Sequence, residues 1–447
     1  GDHRDLHLSI RRQRQMCIRD RSYIIQSLLG LQGLVIVSLV NHFESVYLYA
    51  FPRRKTGTCP TCGKRSSHIH GYRPPQTVKH ILVGGKQLYL VLHKRRFFCS
   101  GCNLAFVEEL PGLSKWSRHT NLLSDEILAR LRETSFASVS RTTNLSYRVQ
   151  AQALMTRVNP STPKWEEINK PFVMGLDEQS FSGHDMIATI TDLTHHKLLA
   201  VLPDDRMSTI TSFYDSIPPE KAHLVMAICT DMRPTYDSAR KQHSILKDIP
   251  LVIDKYHLIA DANKRVSAER RIIEEVVLKN KRQLPRKLLL KGKEHLSEEE
   301  RHKLKLLLTK YSDLQVYYFI KEGLRELYAK SDKPTATKFL NNLISTMYHQ
   351  QEKGCSDWAR TLEKYQDGIL NYFDFHITNA YTEGVHTKMK LIKRQGFGYR
   401  NKQIYLRKLV LGFLPLTTLV SPHLFQSVSY THLRAHETDS YLVCRLL

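Results

Sequence analysis

Apolar and polar positions alternate in the middle of the chain in a way that predicts a β-sheet. Three short apolar runs, FVMGLDEQ, MIATITDL and KLLAVLPD, follow one another and are joined by turns at Ser182-Gly183 and His195-His196. Runs of this length between tight turns are typical of an antiparallel meander. AHLVMAICTDM then predicts a buried strand that ends in an acid, and PLVIDKYHLIADANKRV predicts a strand that feeds a helix. Strands mixed with crossover helices predict an α/β sheet covered on both faces.

Further strands are predicted nearer the N-terminus. LVIVSLV and SVYLYAF alternate as paired strands, and TVKHILVGGKQLYLVLHKRRFF contains two alternating runs joined at Gly84-Gly85, which predicts a β-hairpin. The most apolar stretch, Tyr23 to Val40, is interrupted by polar residues and by two glycines. We therefore expect strands here rather than a membrane span, and a soluble intracellular protein.

Helical periodicity dominates two other regions. LLSDEILARLRE and SFASVSRTTNLSYRVQAQALMTRV predict helices over 121–158, with a short turn near Thr143-Asn144. This is a helix-turn-helix pattern that places Tyr147, Arg148 and Gln150 on the DNA-reading helix, although a small helical bundle gives the same pattern. Between 263 and 365, leucine and isoleucine recur at helical spacing among many charges, which predicts a helical insertion with a basic exterior.

Charge adds the expectation of a negatively charged partner. The chain has 447 residues, with 67 Lys and Arg against 43 Asp and Glu, and a formal net charge of +24. A surplus of this size favours nucleic acid or an acidic membrane surface. Apolar residues make up 41% of the chain, which is enough for sizeable cores and excludes a wholly disordered protein.

Four of the eight cysteines form two close pairs, Cys59-Pro-Thr-Cys62 and Cys99-Ser-Gly-Cys102. Two C-x-x-C pairs can place four thiolates tetrahedrally around zinc, and a hairpin between them would bring the pairs together. The sequence therefore predicts one structural Zn²⁺ in a zinc ribbon. Histidines between the pairs are alternative ligands.

Three acidic residues have positions suited to catalysis. Asp177 ends the first central strand, Asp231 ends the fourth, and Glu383 lies on the last predicted helix. Carboxylates of this kind bind Mg²⁺, and two ions about 3.5–4 Å apart promote in-line displacement at phosphorus. Taken singly, each acid is also a common turn or cap residue.

Other acids compete for these roles. Asp254, followed by His257 after its strand, is the strongest of them, and both side chains are predicted to orient the metal-binding groups rather than to bind metal. The remaining competitors are Glu178, Asp185, Asp192 and Asp237.

One face of the last predicted helix is polar throughout. Asn379, Glu383, His386, Lys390 and Arg394 recur at intervals that place them along one side of a helix. We expect Lys390 and Arg394 to bind backbone phosphates, and Asn379 and His386 to contact a carboxylate or a phosphate. A solvated basic helix is the alternative.

The order of these parts resembles the transposases of the ISL3 family of bacterial insertion sequences. The matching strings are CPTCG with FFCSGC, GLDEQSFSGHD, TDMRPTYDSA, VIDKYHLI, and NAYTEGVHTKMK followed by RQGFGYRN. The resemblance implies a multidomain α+β protein with a small zinc ribbon, a helix-turn-helix region and an RNase H-like α/β catalytic domain whose mixed sheet is interrupted by a helical insertion. It also implies that Asp177, Asp231 and Glu383 are a DDE triad, while His386 stands where Asn is expected in relatives.

The same resemblance implies metal-dependent phosphoryl transfer on DNA. The expected cofactors are two Mg²⁺ ions, with Mn²⁺ as an alternative, beside one structural Zn²⁺. The expected partners are double-stranded DNA, as terminal inverted repeats and as target, and further copies of the chain in a homo-oligomer, with no membrane. The expected location is the bacterial cytoplasm at the nucleoid. Two alternatives are a DNA-binding regulator with an inactive RNase H-like domain and an RNase H-like nuclease without strand transfer.

Domain boundaries follow from these elements. We expect non-native extensions over 1–22 and 426–447, an N-terminal strand arm over 23–50, a zinc ribbon over 51–115 and a helix-turn-helix region over 116–165. The catalytic domain is predicted in two parts, 166–262 and 366–425, separated by the helical insertion over 263–365.

Overall fold

The computed structural model describes residue 26 and residues 29–110, 112–114, 117–279, 284–350 and 353–414. The chain divides into two compact units, one formed by Gly1–Val158 together with Leu411–Leu447 and one spanning Asn159–Val410. The extensions predicted over 1–22 and 426–447 lie outside the described residues. Among the residues described, no helix is both long enough and apolar enough to cross a bilayer.

Short strands build most of the first unit. In chain order they are β1 (Leu34–Asn41), β2 (Ser45–Pro52), β3 (Gly57–Thr58), β4 (Arg65–Ser66), β5 (Ile69–Tyr72), β6 (Gln76–Val83), β7 (Lys86–Leu92), β8 (Arg95–Cys99) and β9 (Leu104–Val107). They form a four-stranded sheet in the order β1-β2-β7-β6, a three-stranded sheet in the order β5-β8-β9, and the pair β3-β4.

The hairpin predicted at Gly84-Gly85 is present, and it belongs to the four-stranded sheet. β6 and β7 pair antiparallel, and the two turn glycines have φ angles of +55° and +78°, which favour glycine. β7 also pairs in parallel with β2. The side chains of Leu48, Leu88 and Leu90 share one core, so burial of apolar surface joins the hairpin to the predicted strand arm. The boundary predicted at residue 51 therefore divides a single sheet.

A buried histidine ties this sheet to the helix that follows it. α1 (Asn121–Glu133) begins after Thr120, whose hydroxyl accepts a hydrogen bond from the Leu123 N–H. His80 on β6 is 1% exposed, with Nδ1 2.8 Å from Thr120 Oγ1 and Nε2 2.8 Å from the Leu29 carbonyl oxygen. Because a carbonyl can only accept, Nε2 carries the ring proton. Burial lowers the pKa of His80 to about 4.

Three helices form the predicted helix-turn-helix region. α1 is followed by α2 (Phe136–Thr143) and α3 (Tyr147–Arg157). At the start of α2, the Ser135 hydroxyl accepts a hydrogen bond from the Ser138 N–H. Asn144 ends α2 in the left-handed conformation, with a φ of +52°, and so turns the chain where the sequence predicted.

A five-stranded mixed sheet forms the centre of the second unit. Its strands are β10 (Phe172–Ser182), β11 (Asp185–Asp192), β12 (Lys197–Leu202), β13 (Val225–Thr230) and β14 (Leu251–Ile253), in the order β12-β11-β10-β13-β14. β10, β11 and β12 pair antiparallel as the predicted meander, whereas β13 runs parallel to β10 and β14 parallel to β13. The predicted mixed sheet of an RNase H-like domain is confirmed.

Helices complete the second unit. They are α4 (Met207–Asp215), α5 (Pro219–Ala222), α6 (Pro234–Gln242), α7 (Lys255–Val276), α8 (Arg286–Leu290), α9 (Glu298–Lys310), α10 (Ser312–Leu327), α11 (Lys333–Tyr348), α12 (Lys353–Lys364), α13 (Gln366–Leu370), α14 (Tyr372–Phe375), α15 (Ala380–Gln395) and α16 (Lys402–Leu411). The 22-residue helix α7 runs across the boundary predicted at 263. One core contains buried side chains of both the sheet and the insertion, including Ile253 and Trp358, so the insertion packs as part of this unit.

Candidate active site

Two of the predicted acids lie on neighbouring strands of the sheet or next to them. Asp177 lies on β10, and Asp231 directly follows β13. The prediction that Asp177 ends its strand is wrong, because β10 continues to Ser182. The parallel pairing of β10 with β13 ends at Gly175 and Cys229, so both aspartates lie just beyond the paired segment and face one cleft. Asp177 is 5% exposed, and its Oδ1 accepts a hydrogen bond of 2.8 Å from the Glu178 N–H. The sheet thus presents both aspartates on one edge.

Helix α15 carries the third acid across this sheet. The Asn379 side chain donates to a carbonyl of β10 over 3.2 Å. Thr382 donates to Asn379 Oδ1 over 2.6 Å and shares a hydrogen bond of 2.8 Å with Thr191 on β11. Gly175 allows this close approach, because a Cβ there would lie 2.5 Å from Thr191 Oγ1 and 2.8 Å from Asn379 Oδ1. Glu383, in the first turn of α15, is held over the strand ends as a result.

The three acids line one open cleft of about 630 Å³. Ligand atoms of Asp177, His257 and Glu383 all lie within 4.8 Å of one another. Asp231 lines the same cleft, and its Oδ1 accepts a hydrogen bond of 3.1 Å from the Arg233 N–H. The full lining is Asp177, Glu178, Gln179, Ser180, Asp231, Arg233, His257, Lys264, Glu383, His386, Lys390, Lys393 and Arg394.

Asp254 and His257 form a hydrogen-bonded pair at the start of α7. Asp254 is 1% exposed and accepts from the Asn379 N–H at 2.9 Å. Its other oxygen accepts from His257, over 3.2 Å from the backbone N–H and over 2.9 Å from Nδ1. The opposite ring nitrogen, Nε2, lies 3.9 Å from Asp177 Oδ1. The structure therefore places Asp254 behind His257, and His257 beside the acids.

The two remaining polar residues predicted on α15 differ in what they contact. His386 is 5% exposed, with Nδ1 3.6 Å from Asp177 Oδ2 and Nε2 3.1 Å from Thr189 Oγ1. Asn379 is fully buried, and its backbone N–H, its Nδ2 and its Oδ1 all form hydrogen bonds. It therefore fixes the start of α15 and has no access to a phosphate. Asn379 was predicted to contact a carboxylate or a phosphate. Its backbone N–H contacts the Asp254 carboxylate, and its burial against β10 excludes the phosphate.

Basic side chains surround the acids at the mouth of the cleft. Lys390 and Arg394 continue the face of α15 that carries Glu383, and both are exposed. Lys264 on α7 and Lys393 on α15 also line the cleft, and Lys393 donates to the Phe181 carbonyl. Cations in these positions suit the phosphates of a nucleic-acid backbone.

The four predicted zinc ligands converge in the first unit. The Sγ atoms of Cys59, Cys62, Cys99 and Cys102 all lie within 4.8 Å of one another. Hydrogen bonds from the Cys62 and Thr61 N–H groups lower the pKa of Cys59 to about 6, which favours the thiolate that zinc requires. Strands β5 and β8 pair antiparallel, and β8 ends at Cys99, so the intervening hairpin returns the chain to the first cysteine pair.

The helix predicted to read DNA has both exposed and buried positions. Tyr147 is 52% exposed, and Arg148 beside it is also exposed. Gln150 is fully buried, and its Nε2 donates to Ser140 Oγ over 2.7 Å and to the Leu145 carbonyl over 3.0 Å. The prediction that Gln150 contacts DNA is therefore wrong, because its side chain fastens α3 to the preceding helix and turn.

Comparisons with known proteins agree with this arrangement. Residues 174–409 match the family model of the ISL3 DDE domain, described as a transposase. Residues 55–102 match the zinc finger of the transposases of IS204, IS1001, IS1096 and IS1165, and residues 108–148 match the helix-turn-helix domain of transposase family ISL3. The chain belongs to the ISL3 family of transposases.

Two relatives cover most of this ISL3 transposase. The transposase for insertion sequence element IS1001 of Bordetella parapertussis is 23% identical over 379 residues, which are 83% of this chain and 92% of the relative. The transposase for insertion sequence element IS1557 of Mycobacterium tuberculosis is 20% identical over 373 residues, which are 77% and 83% of the two chains. The chain is thus a DNA-binding enzyme of an insertion sequence, with a zinc ribbon and a helix-turn-helix domain.

Three basic residues of the transposase cleft, Arg233, Lys264 and Lys393, were not predicted. Arg233 forms ion pairs with Glu178 and, over 2.6 Å, with Asp205, and it follows Asp231 by two positions. Lys264 lies seven residues after His257 on α7, which places both on one helix face. These spacings were visible in the sequence. Without the strand order, however, nothing indicated that they face the same cleft as Glu383.

Burial raises the pKa values of the acids in this transposase. It is the main cause of a pKa of about 6 for Asp177 and about 7 for Glu178, and neighbouring acids add to both shifts. Burial raises the pKa of Asp231 as well, although the Arg233 N–H and guanidinium oppose this. A divalent cation would favour the ionised carboxylates. Several oxygens with one imidazole nitrogen also form a donor set that divalent cations accept.

Proposed function

We propose that this transposase binds the terminal inverted repeats of its element and catalyses metal-dependent DNA cleavage and strand transfer, with Asp177, Asp231 and Glu383 as the catalytic triad. The observation that carries this proposal is that three acids from separate parts of the chain line one cleft. Gathering carboxylates is unfavourable, and the burial of Asp177 adds to the penalty. A bound divalent cation would offset both effects.

The proposed reaction consists of two displacements at phosphorus. Water first replaces the 3′ oxygen in a phosphodiester at the element terminus and leaves a free 3′-hydroxyl. That hydroxyl then replaces the 3′ oxygen in a target phosphodiester, so one ester bond forms for each one broken. Two Mg²⁺ ions, or Mn²⁺ in their place, would supply stabilisation of the attacking and leaving oxygens. The three acids would hold these ions, and α15 would orient Glu383 toward the strand ends.

DNA contacts are assigned separately in each of the two units. We assign base contacts to Tyr147 and Arg148, and phosphate contacts to Lys390 and Arg394 at the cleft. Each neutralised phosphate releases counterions, so binding should weaken steeply as salt rises. Because two element ends must be joined to one target, we also infer a homodimer or a larger assembly.

A strand-transfer assay with Glu383→Gln tests the catalytic assignment. The substrate is a labelled duplex that ends in the element's own inverted repeat, supplied with target plasmid and Mg²⁺. Wild-type protein should yield cleaved and joined products, while Glu383→Gln should yield neither yet bind the duplex with unchanged affinity. Glu220→Gln is the matched control, because Glu220 is exposed on α5 and is not among the cleft residues.

The products distinguish the alternatives. A regulator would shift the duplex in a gel without cutting it, and a nuclease would cut without joining. Glu383→Gln protein that cleaves at the wild-type rate would refute the assignment of the third acid.

A further inference from the structure

A histidine lies among the acids of the cleft in the position of a fourth ligand. The ligand atoms of Asp177, His257 and Glu383 are mutually within 4.8 Å. When three ligand atoms each bind one ion at about 2.0–2.2 Å, the distances between those ligand atoms must be below about this limit. His257 is only partly buried, so its ring can be reached from the cleft that it lines.

The ring of His257 is already oriented for this role. Nδ1 lies 2.9 Å from Asp254 Oδ2, and the same oxygen accepts from the His257 backbone N–H. Asp254 accepts a third hydrogen bond, from the Asn379 N–H, and is 1% exposed, so it acts as a fixed carboxylate acceptor. A carboxylate on one ring nitrogen fixes the tautomer in which the other nitrogen has a free lone pair, as second-shell partners of histidine ligands do. Nε2 is the nitrogen that faces Asp177.

We propose that His257 Nε2, together with carboxylate oxygens of Asp177 and Glu383, forms a mixed nitrogen and oxygen site for one divalent cation. Asp254 is the positioning residue of this site. The inference deepens the proposed function, on which it rests, and replaces the expectation that His257 only orients other groups. Asp231 and Asp177 remain the oxygen ligands of the second site.

The second histidine in the cleft does not meet the same conditions. His386 Nδ1 lies 3.6 Å from Asp177 Oδ2, but the partner of its Nε2 is the Thr189 hydroxyl rather than a carboxylate. Its ring is also outside the group of mutually close ligand atoms among the described residues. His386 is therefore the matched control for His257, since both histidines line one cleft beside the same aspartate.

An imidazole ligand alters the choice of metal. Carboxylate and water sites suit Mg²⁺ and Mn²⁺ alike, whereas imidazole nitrogen favours the transition metals. We therefore expect this site to bind Mn²⁺ more tightly than Mg²⁺, and we expect removal of the ring to reduce that preference.

Pulsed electron paramagnetic resonance on Mn²⁺-loaded, untagged full-length protein tests the proposal directly. The wild-type spectrum should contain a nitrogen coupling to Mn²⁺ that changes when the histidines are labelled with the heavy nitrogen isotope. His257→Gln should abolish that coupling and weaken Mn²⁺ binding by about tenfold or more, while His386→Gln should retain it. Asp254→Asn should retain the coupling and weaken Mn²⁺ by about 10–100-fold, as loss of such a partner typically does. Thermal unfolding would verify that each variant is folded.

The outcomes separate this inference from the proposed function. If Glu383→Gln weakens Mn²⁺ binding but the wild type has no histidine coupling, the nitrogen ligand is refuted and the acidic centre stands. A coupling that persists in His257→Gln and disappears in His386→Gln would also refute it. If Glu383→Gln leaves Mn²⁺ binding unchanged, the acidic centre itself fails.

Discussion

Gly175→Ala should disable the transposase without touching any of its acids. Gly175 lies two residues before Asp177 on β10, at the point where α15 crosses the sheet. A methyl group there would meet Thr191 Oγ1 at 2.5 Å and Asn379 Oδ1 at 2.8 Å. Thr382 hydrogen-bonds to both of these atoms, so neither can move aside alone. The substitution is therefore expected to displace α15.

The distances set the size of the effect. Ordinary contact begins near 3.4 Å, so Thr191 and Asn379 would have to retreat by about 0.9 Å and about 0.6 Å. Overpacking of a filled core costs about 1–3 kcal/mol. A displacement near 1 Å at a catalytic group can lower the rate by about 100-fold. We expect the free energy of unfolding to fall by about 1–3 kcal/mol and strand transfer to fall by about 100-fold, because Glu383 moves with the helix.

A glycine-to-alanine substitution on α15 itself provides the control. Gly384 is next to Glu383, and no atom lies within 4 Å of the Cβ that alanine would add. Alanine in a helix interior is favoured over glycine by up to about 1 kcal/mol, so Gly384→Ala should be as stable as the wild type or more so. Urea unfolding and a strand-transfer assay would be run on both variants. Gly175→Ala protein with wild-type activity would refute the claim that this contact positions Glu383, as would an equal loss in Gly384→Ala.

Three further predictions concern other parts of the chain. Folding lowers the pKa of His80 from its ordinary 6.5 to about 4, so between these pH values the unfolded chain binds more protons than the folded chain. The free energy of unfolding should therefore decrease by about 3 kcal/mol as the pH falls from about 6.5 to about 4. Hydrogen exchange of β6 and β7 amides should reveal this loss, and His80→Gln should reduce it. Gln150→Ala removes two hydrogen bonds of a buried amide and should cost about 1–3 kcal/mol in thermal unfolding, whereas Arg148→Ala should weaken DNA binding with little change in stability. Replacing Lys390 and Arg394 together by alanine should lower the slope of log affinity against log salt by about 2, as two lost phosphate contacts require; an unchanged slope would contradict their assignment.

The two aspartates were the part of the site that sequence patterning could predict, although it placed Asp177 at the end of a strand that continues to Ser182. An apolar run that ends in an acid is visible without any tertiary knowledge, and both Asp177 and Asp231 end such runs. Glu383 needed a different signal, which was a polar helix face together with the family resemblance. Its placement depends on Gly175, whose significance follows only from the contact it allows with Asn379.

Orientation within the first unit was harder to predict, because it depends on which elements pack together. Gln150 has the periodicity of a DNA-reading position, yet it points at the turn that precedes its own helix. The hairpin at Gly84-Gly85 was predicted in the right place, but its parallel pairing with β2, which is distant in sequence, was not predicted. Local sequence patterns specify the helices and strands, and the burial of apolar surface then determines which of them pack together.

Helix α7 links the cleft to the insertion in a way that the predicted boundary at 263 concealed. His257 and Lys264 both line the cleft from this helix, and the helix continues to Val276. Leu258, Val266 and Ile273 on α7 are buried in the same core as Leu314 and Leu324 of α10. A rigid helix transmits displacement along its length. The insertion therefore supports the Asp254–His257 pair, and substitutions that loosen the α7–α10 packing should disturb the proposed metal site before they disturb the sheet.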